Sequence, residues 1–127
     1  MSNNLKQNVV TKYAFATRCG YQPGNLNKPN QDAFILVPNF KKTKYSHFFG
    51  VCDGHGSIGH EASDFVKRHL PKQLEICKTP SEAFHTTDKK MAQAMDISLS
   101  GTTVCCVHFE GTKVYTYNAG DSRAIVV

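Results

Sequence analysis

A short apolar run that ends in Asp-Gly-His-Gly constrains the fold of this 127-residue chain more than any other feature. Residues 48–52, Phe-Phe-Gly-Val-Cys, are aromatic and β-branched, a composition typical of a buried strand. Asp53 follows directly, and apolar residues recur at helical spacing from Ile58 onward. The sequence therefore predicts a strand that carries a carboxylate at its end, then a tight glycine turn, then a helix.

Strand patterns occur on both sides of this segment. The predicted strands cover residues 13–18, 33–37, 47–52, 102–109, 113–118 and 123–127. Gly111 lies between two of them in a predicted hairpin loop. Residues 20–30, rich in Gly, Pro and Asn, are predicted to form a loop.

Two helices are predicted between the third and fourth strands. The first carries apolar residues at helical spacing, and Pro71 is expected to end or kink it. These apolar residues are Ile58, Ala62, Phe65, Val66 and Leu70. The second begins with Thr79-Pro80-Ser81-Glu82, a capping-box pattern with proline at the first helical position. Strands clustered around a helical pair favour an α+β fold over alternating βαβ units.

Composition narrows the classes of function. Hydrophobic residues make up 40% of the chain, yet no apolar run approaches the length of a membrane span. The net charge of +5 comes without the signature of a nucleic-acid module, so neither nucleic acid nor a membrane is an expected partner. The five cysteines lack CxxC spacing, which favours reduced thiols and a cytoplasmic or nuclear location.

The Asp-Gly-His-Gly segment has the residue types of a metal or phosphate site. Asp53 offers a hard oxygen ligand for Mg²⁺ or Mn²⁺, and Gly54 and Gly56 let the backbone approach an ion closely. His55 can transfer a proton near neutral pH. The alternative is an Asp-Gly turn beside an incidental histidine, but the flanking strand and helix favour a site.

Four segments in series resemble the N-terminal half of the metal-dependent protein phosphatases of type 2C, the PPM family. They are Gly20-Tyr21-Gln22-Pro23 through Asn30-Gln31-Asp32-Ala33-Phe34, then residues 49–56, then Ser100-Gly101-Thr102-Thr103, then Asn118-Ala119-Gly120-Asp121-Ser122-Arg123. The resemblance implies a β-sandwich flanked by antiparallel helices, apparently truncated, with residues 1–12 as an N-terminal extension and 13–127 as a partial phosphatase domain. Two further aspartates belong to the family's C-terminal half.

The resemblance also implies metal ligands. Two or more Mg²⁺ or Mn²⁺ ions are expected in a complete domain. Asp53 should bridge two ions, the carbonyl of Gly54 should bind one of them, and Asp32 should orient metal-bound waters. Gln31 stands where many members have a glutamate ligand, and Asp121 matches an aspartate of a weaker third site.

Catalytic and phosphate-binding roles follow from the same resemblance. His55 matches the position proposed as the general acid, and Asp32 serves catalysis through the water it orients. Asn27 stands where the family often has a phosphate-binding arginine, and the adjacent Lys28 can act as a point charge instead. Arg123 is expected to pair with a nearby carboxylate, and residues 100–103 are expected to be structural.

Three functions remain open at this point. The first is hydrolysis of phosphoserine and phosphothreonine in phosphorylated protein substrates by a metal-activated water. The second is an inactive remnant of a phosphatase that binds phosphoprotein or acts as a regulatory module. The third is a small zinc protein using Cys52, His55 and His60. Self-association through exposed strands is also expected.

Overall fold

The computed structural model describes residues 6–127, so the first five residues of the predicted N-terminal extension lie outside the described part. Five strands form one antiparallel sheet and two helices follow its second strand. The elements are β1 Asp32–Pro38, β2 Ser46–His55, α1 Gly59–Ile76, α2 Pro80–Ala94, β3 Gly101–Thr102, β4 Val104–Glu110 and β5 Lys113–Ala119. The sheet order is β1-β2-β4-β5, and β3 pairs with the end of β2. The predicted α+β fold is confirmed.

The alternation of side chains along β2 gives the sheet two different faces. Phe48 and Cys52 are fully buried and point to the helices, whereas Phe49, Val51 and Asp53 point the other way. We call these the helix face and the open face. On the helix face, β1, β2 and β4 pack with both helices into a single core, which contains Ile35, Phe40, Phe48, Cys52, Ala62, Phe65, Val66, Leu70, Leu74, Ala83, Met91, Val104 and Cys106.

The helix boundaries follow from caps and burial. The Thr79 hydroxyl accepts from the Glu82 amide at 3.2 Å, and the Glu82 carboxylate accepts from the Lys78 amide at 3.0 Å. This confirms the predicted start of α2. Of the two outcomes expected at Pro71, the structure excludes an end, because α1 continues to Ile76. Burial of residues on both sides of Pro71 offsets the helix hydrogen bond that proline cannot make.

The terminal strand predictions are wrong. Residues 13–18 form no strand, because their alternating aromatic residues instead stack on the open face. The Tyr13 ring lies 5.3 Å from that of Phe49, and the Phe15 ring lies 4.1 Å from that of Phe34. Residues 123–127 also form no strand, and the described residues supply no neighbouring strand to pair with them.

The hairpin between β4 and β5 is confirmed. Glu110 pairs with Lys113, and a two-residue loop joins the strands. Gly111 has a φ of 59°, a left-handed conformation that glycine adopts without a steric penalty. The strand predicted over 102–109 is divided instead, because Thr103 interrupts it between β3 and β4.

Neither helix within residues 6–127 combines the length and the apolar character needed to cross a membrane.

Candidate functional site

The central feature of the open face is a pair of carboxylates on neighbouring strands. Asp32, the first residue of β1, lies directly opposite Asp53 near the end of β2. The two carboxylates therefore come from adjacent positions on paired strands. Partial burial raises the pKa of Asp32, the charge and hydrogen bond of Asp53 raise it further, and the charge of Lys28 lowers it. The pair therefore favours a shared positive species, either a proton or a cation.

A cleft of about 350 Å³ opens beside this pair. Arg18 and Arg123 line the cleft together with Asp32 and Asp53. Arg123 was expected to pair with a carboxylate, but the ion pairs found in the described part of the chain, Arg68–Asp64 and His60–Glu61, do not include it. The cleft thus combines two carboxylates with two guanidinium groups that form no ion pair among residues 6–127.

Arg18 lines both this cleft and a second opening beside the predicted 20–30 loop. The second opening, of about 520 Å³, is lined by Arg18, Lys28 and other residues of the 18–28 segment. The thiol of Cys19 donates to the Lys28 carbonyl at 3.0 Å, which ties the two ends of this segment together. Sequence reasoning identified Lys28 and missed Arg18, because Arg18 lies before the loop and outside every motif.

Two glycines allow the backbone at the end of β2 to pack tightly. A Cβ on Gly54 would overlap the Gly59 carbonyl and come within 2.5 Å of the Gln31 carbonyl. The Gly54 amide donates to that Gln31 carbonyl at 3.1 Å, and the buried Ser63 hydroxyl donates to it at 2.7 Å. Helix α1 is thereby joined to the ends of both β1 and β2, which fixes the carboxylate pair from behind.

The predicted ligand Gln31 is placed apart from the carboxylate pair. Its side-chain amide donates to the Gly56 carbonyl at 2.6 Å and lies beside Gly59 at the start of α1. Gln31 therefore supports the glycine turn on the helix face, while Asp32 and Asp53 face the cleft.

His55 and Asp121 are both exposed near the same end of the sheet. His55 pairs with Gly101 of β3, and a Cβ on Gly101 would lie 3.1 Å from the imidazole Nε2. Asp121 follows Gly120, whose φ of 103° turns the chain after β5. The structure thus brings His55, Asp121 and the carboxylate pair to one end of the sheet.

Thr103 and Ser122 also belong to this region, and sequence reasoning assigned neither of them a role. The Thr103 hydroxyl accepts from the Asp53 amide at 3.0 Å and shares a hydrogen bond of 2.6 Å with the Ser122 hydroxyl. Thr103 lies in the 100–103 segment, which was expected to be structural, and Ser122 follows the predicted ligand Asp121. The pairing of residues from two separate motifs around Asp53 is visible only in three dimensions.

The zinc interpretation is wrong. Cys52 is buried on the helix face, where burial raises the pKa of its thiol to about 12, whereas His55 is exposed and His60 contacts Glu61. Within residues 6–127, no three His, Cys, Asp or Glu side chains come together as a ligand cluster. The thiol and the two imidazoles cannot form the compact tetrahedral set that zinc requires.

Comparison with known proteins agrees with this architecture. The model of the protein phosphatase 2C family matches residues 22–127. Probable protein phosphatase 2C 35 of Arabidopsis thaliana is 33% identical over 90% of this chain and 35% of its own length. Probable protein phosphatase 2C 22 of the same plant is 36% identical over 91% of this chain and 34% of its own length.

A solved phosphatase structure has a similar fold. The crystal structure of a bacterial serine phosphatase carrying a point mutation aligns with a TM-score of 0.55 and 26% identity, covering 80% of this chain and 52% of that protein. The chain belongs to the protein phosphatase 2C family. It spans about a third of the length of the curated relatives named above.

Proposed function

We propose that this chain contributes the Asp32–Asp53 half of the active site of a Mg²⁺- or Mn²⁺-dependent protein phosphatase. The supporting observation is the cross-strand carboxylate pair beside a cleft lined by Arg18 and Arg123. Carboxylates of this kind hold hard divalent cations, and guanidinium groups bind phosphate oxygens in a bidentate fashion. One cleft therefore offers groups for both the metal and the phosphoryl group.

The residues present fit a divalent cation. Asp32 and Asp53 offer only oxygen ligands on adjacent strands, and partial burial followed by the charge of Asp53 raises the pKa of Asp32, a repulsion that a cation would reduce. Asp32 and Asp53 would hold the ion, with the Gly54 carbonyl and Asp121 as the further predicted ligands. The bound ion would supply positive charge for the phosphoryl oxygens and a more acidic water.

The remaining steps fall to side chains of this chain. Arg18 and Lys28 flank the cleft and orient the phosphoryl oxygens of the substrate. His55, exposed two residues after Asp53, donates a proton to the leaving serine or threonine alkoxide. The core behind the sheet keeps these groups in place, because Cys52 and Gly54 alternate with Asp53 and His55 along the same strand.

The substrate class is phosphoserine and phosphothreonine in proteins. The named relatives are protein phosphatases, and the matching crystal structure is of a serine phosphatase. The Asp32–Asp53 pair is exposed beside the cleft. Such a site admits a phosphorylated side chain on a polypeptide.

Phosphate release from a phosphothreonine peptide tests the proposal. In a protein that joins this chain to the remaining part of a family relative, the expected result is turnover that requires Mn²⁺, stops with EDTA and disappears in Asp53→Asn. The matched control is Asp88→Asn, which removes an exposed carboxylate from α2, away from the cleft. Binding of the phosphopeptide without any turnover by that completed protein would favour the inactive, phosphoprotein-binding alternative.

A further inference from the structure

Thr103 and Asp53 are joined by an unusual pair of hydrogen bonds. The Thr103 amide donates to the Asp53 carbonyl at 2.9 Å, as in a regular antiparallel pair. The return bond differs, because the Asp53 amide donates to the Thr103 hydroxyl rather than to its carbonyl. The Thr103 carbonyl accepts instead from the Thr102 hydroxyl at 2.9 Å.

This pair of hydrogen bonds explains why the strand predicted over 102–109 is divided at Thr103. The register between β2 and its partners is continuous, with Val51 opposite Cys105 on one side and Gly54 opposite Thr102 on the other. No residue is inserted or omitted at Thr103. The ladder is interrupted only because a side-chain hydroxyl has taken the place of a backbone carbonyl.

The Thr103 hydroxyl also contacts the turn that follows β5. It shares a hydrogen bond of 2.6 Å with the Ser122 hydroxyl. A hydroxyl has one proton to donate and two lone pairs to accept with, so Thr103 can bond to Asp53 and Ser122 together. Gly120 permits this close approach, because a Cβ there would lie 2.7 Å from the Thr103 Cγ2.

We propose that Thr103 is a positioning residue for the metal site. Through one hydroxyl it holds the backbone of Asp53 and the 120–123 turn, which carries Asp121, in a fixed relation. We call the three-residue arrangement of Asp53, Thr103 and Ser122 the Thr103 clamp. The clamp acts on the backbone of Asp53 and leaves the Asp53 carboxylate free to face the cleft. Its effect on metal binding rests on the proposed function, whereas its effect on the Asp53 amide does not.

The first test measures amide hydrogen exchange by NMR on the metal-free 127-residue chain. Thr103→Val keeps the shape of the side chain and removes the hydroxyl, so exchange of the Asp53 amide should accelerate by roughly fivefold to tenfold. Thr103→Ser should restore slow exchange. Thr87→Val is the matched control, because it removes a buried hydroxyl whose bond to the Ala83 carbonyl lies within α2.

The second test measures Mn²⁺ affinity of the same variants by EPR. Thr103→Val should weaken binding by about tenfold to a hundredfold, the range typical of residues that orient metal ligands, and Thr103→Ser should recover it. Ser122→Ala probes the outer half of the clamp and remains informative if Thr103→Val fails to fold. It should weaken binding in the same direction.

The outcomes separate the clamp from the proposed function. Unchanged exchange at Asp53 in Thr103→Val would overturn the clamp, whereas faster exchange with unaltered Mn²⁺ affinity would overturn the role of Thr103 in positioning the metal site. If the wild-type chain binds no Mn²⁺, the proposed metal function fails, and the exchange data alone then decide whether Thr103 holds Asp53.

Discussion

The two faces of the sheet are built from the same strands but serve different ends. On the helix face, Phe48 and Cys52 are almost inaccessible to solvent and pack among apolar side chains of both helices. On the open face, the neighbouring residues Phe49 and Asp53 carry aromatic stacking and the carboxylate pair. One face supplies cohesion and the other presents chemical groups.

The difference shows how the fold places charge. Partial burial and then the repulsion from Asp53 raise the pKa of Asp32, so keeping both carboxylates charged at this position costs free energy. The cost is tolerated because the backbone beneath the pair is fixed by the glycine contacts and by the hydroxyls of Ser63 and Thr103. Stability on one face thus offsets electrostatic strain on the other.

Substituting adjacent phenylalanines should give the largest difference between the faces. Phe48→Ala, on the helix face, should lower the free energy of unfolding by about 4 kcal/mol, because it leaves a cavity in the core. Phe49→Ala, on the open face, should cost less than half as much, because Phe49 is partly exposed. Urea unfolding of both variants checks this, and equal losses would remove the distinction between the faces.

Gly54 lies on the helix face at the end of β2 and should also be sensitive to substitution. Gly54→Ala should lower the free energy of unfolding by about 3 kcal/mol, because its Cβ would collide with backbone atoms that cannot rotate away. Gly20→Ala is the control, since the nearest atom to its Cβ would be the flexible Lys28 Nζ at 3.9 Å. Thermal unfolding should separate the two variants, and similar midpoints would mean that the turn can relax.

The N-terminal cap of α2 should contribute less to the free energy of unfolding than Phe48 or Gly54. Thr79→Ala removes the hydroxyl that accepts from the Glu82 amide and should cost about 1 kcal/mol. Thr79→Ser keeps that acceptor and should cost much less. Chemical unfolding of the pair checks the prediction, which fails if serine and alanine are equally destabilising.

Ionisation of Asp32 should have the smallest effect on stability. This effect is specific to the open face. The pKa of Asp32 in the folded state lies above its ordinary value. Asp32 therefore contributes to stability at low pH, and this contribution is lost as the pH rises through the folded-state pKa. Carbon-13 NMR titration should show a lower Asp32 pKa in Asp53→Asn and a higher one in Lys28→Gln. An Asp32 pKa that ignores both changes would contradict the electrostatic description of the pair.

Local patterns in the sequence predicted most of the helix face. The apolar run before Asp53, the helical spacing after Ile58, the cap at Thr79 and the turn at Gly111 all act over a few residues, so they are readable from the chain. Residues 13–18 misled the same reasoning, because alternation fits either a paired strand or an extended segment stacked on a sheet.

The candidate site was predicted only in part. Asp32, Asp53 and His55 were identified from short motifs, and the structure brings them to one end of the sheet. Arg18 and the Thr103–Ser122 contact were missed, because they depend on where distant segments meet. Gln31 stays a predicted ligand, and the bond of its side-chain amide to the Gly56 carbonyl could not be predicted from the sequence.

Mn²⁺ binding by the wild-type chain and two variants tests the central claim, that Asp32 and Asp53 form a metal site, most directly. EPR titration should show weak but saturable binding to wild type, because Asp32 and Asp53 are the two carboxylates that lie opposite each other beside the cleft. Binding should be unchanged in Asp88→Asn and lost in Asp53→Asn, with all three proteins unfolding at similar temperatures. Equal Mn²⁺ affinity of Asp53→Asn and wild type would contradict the account.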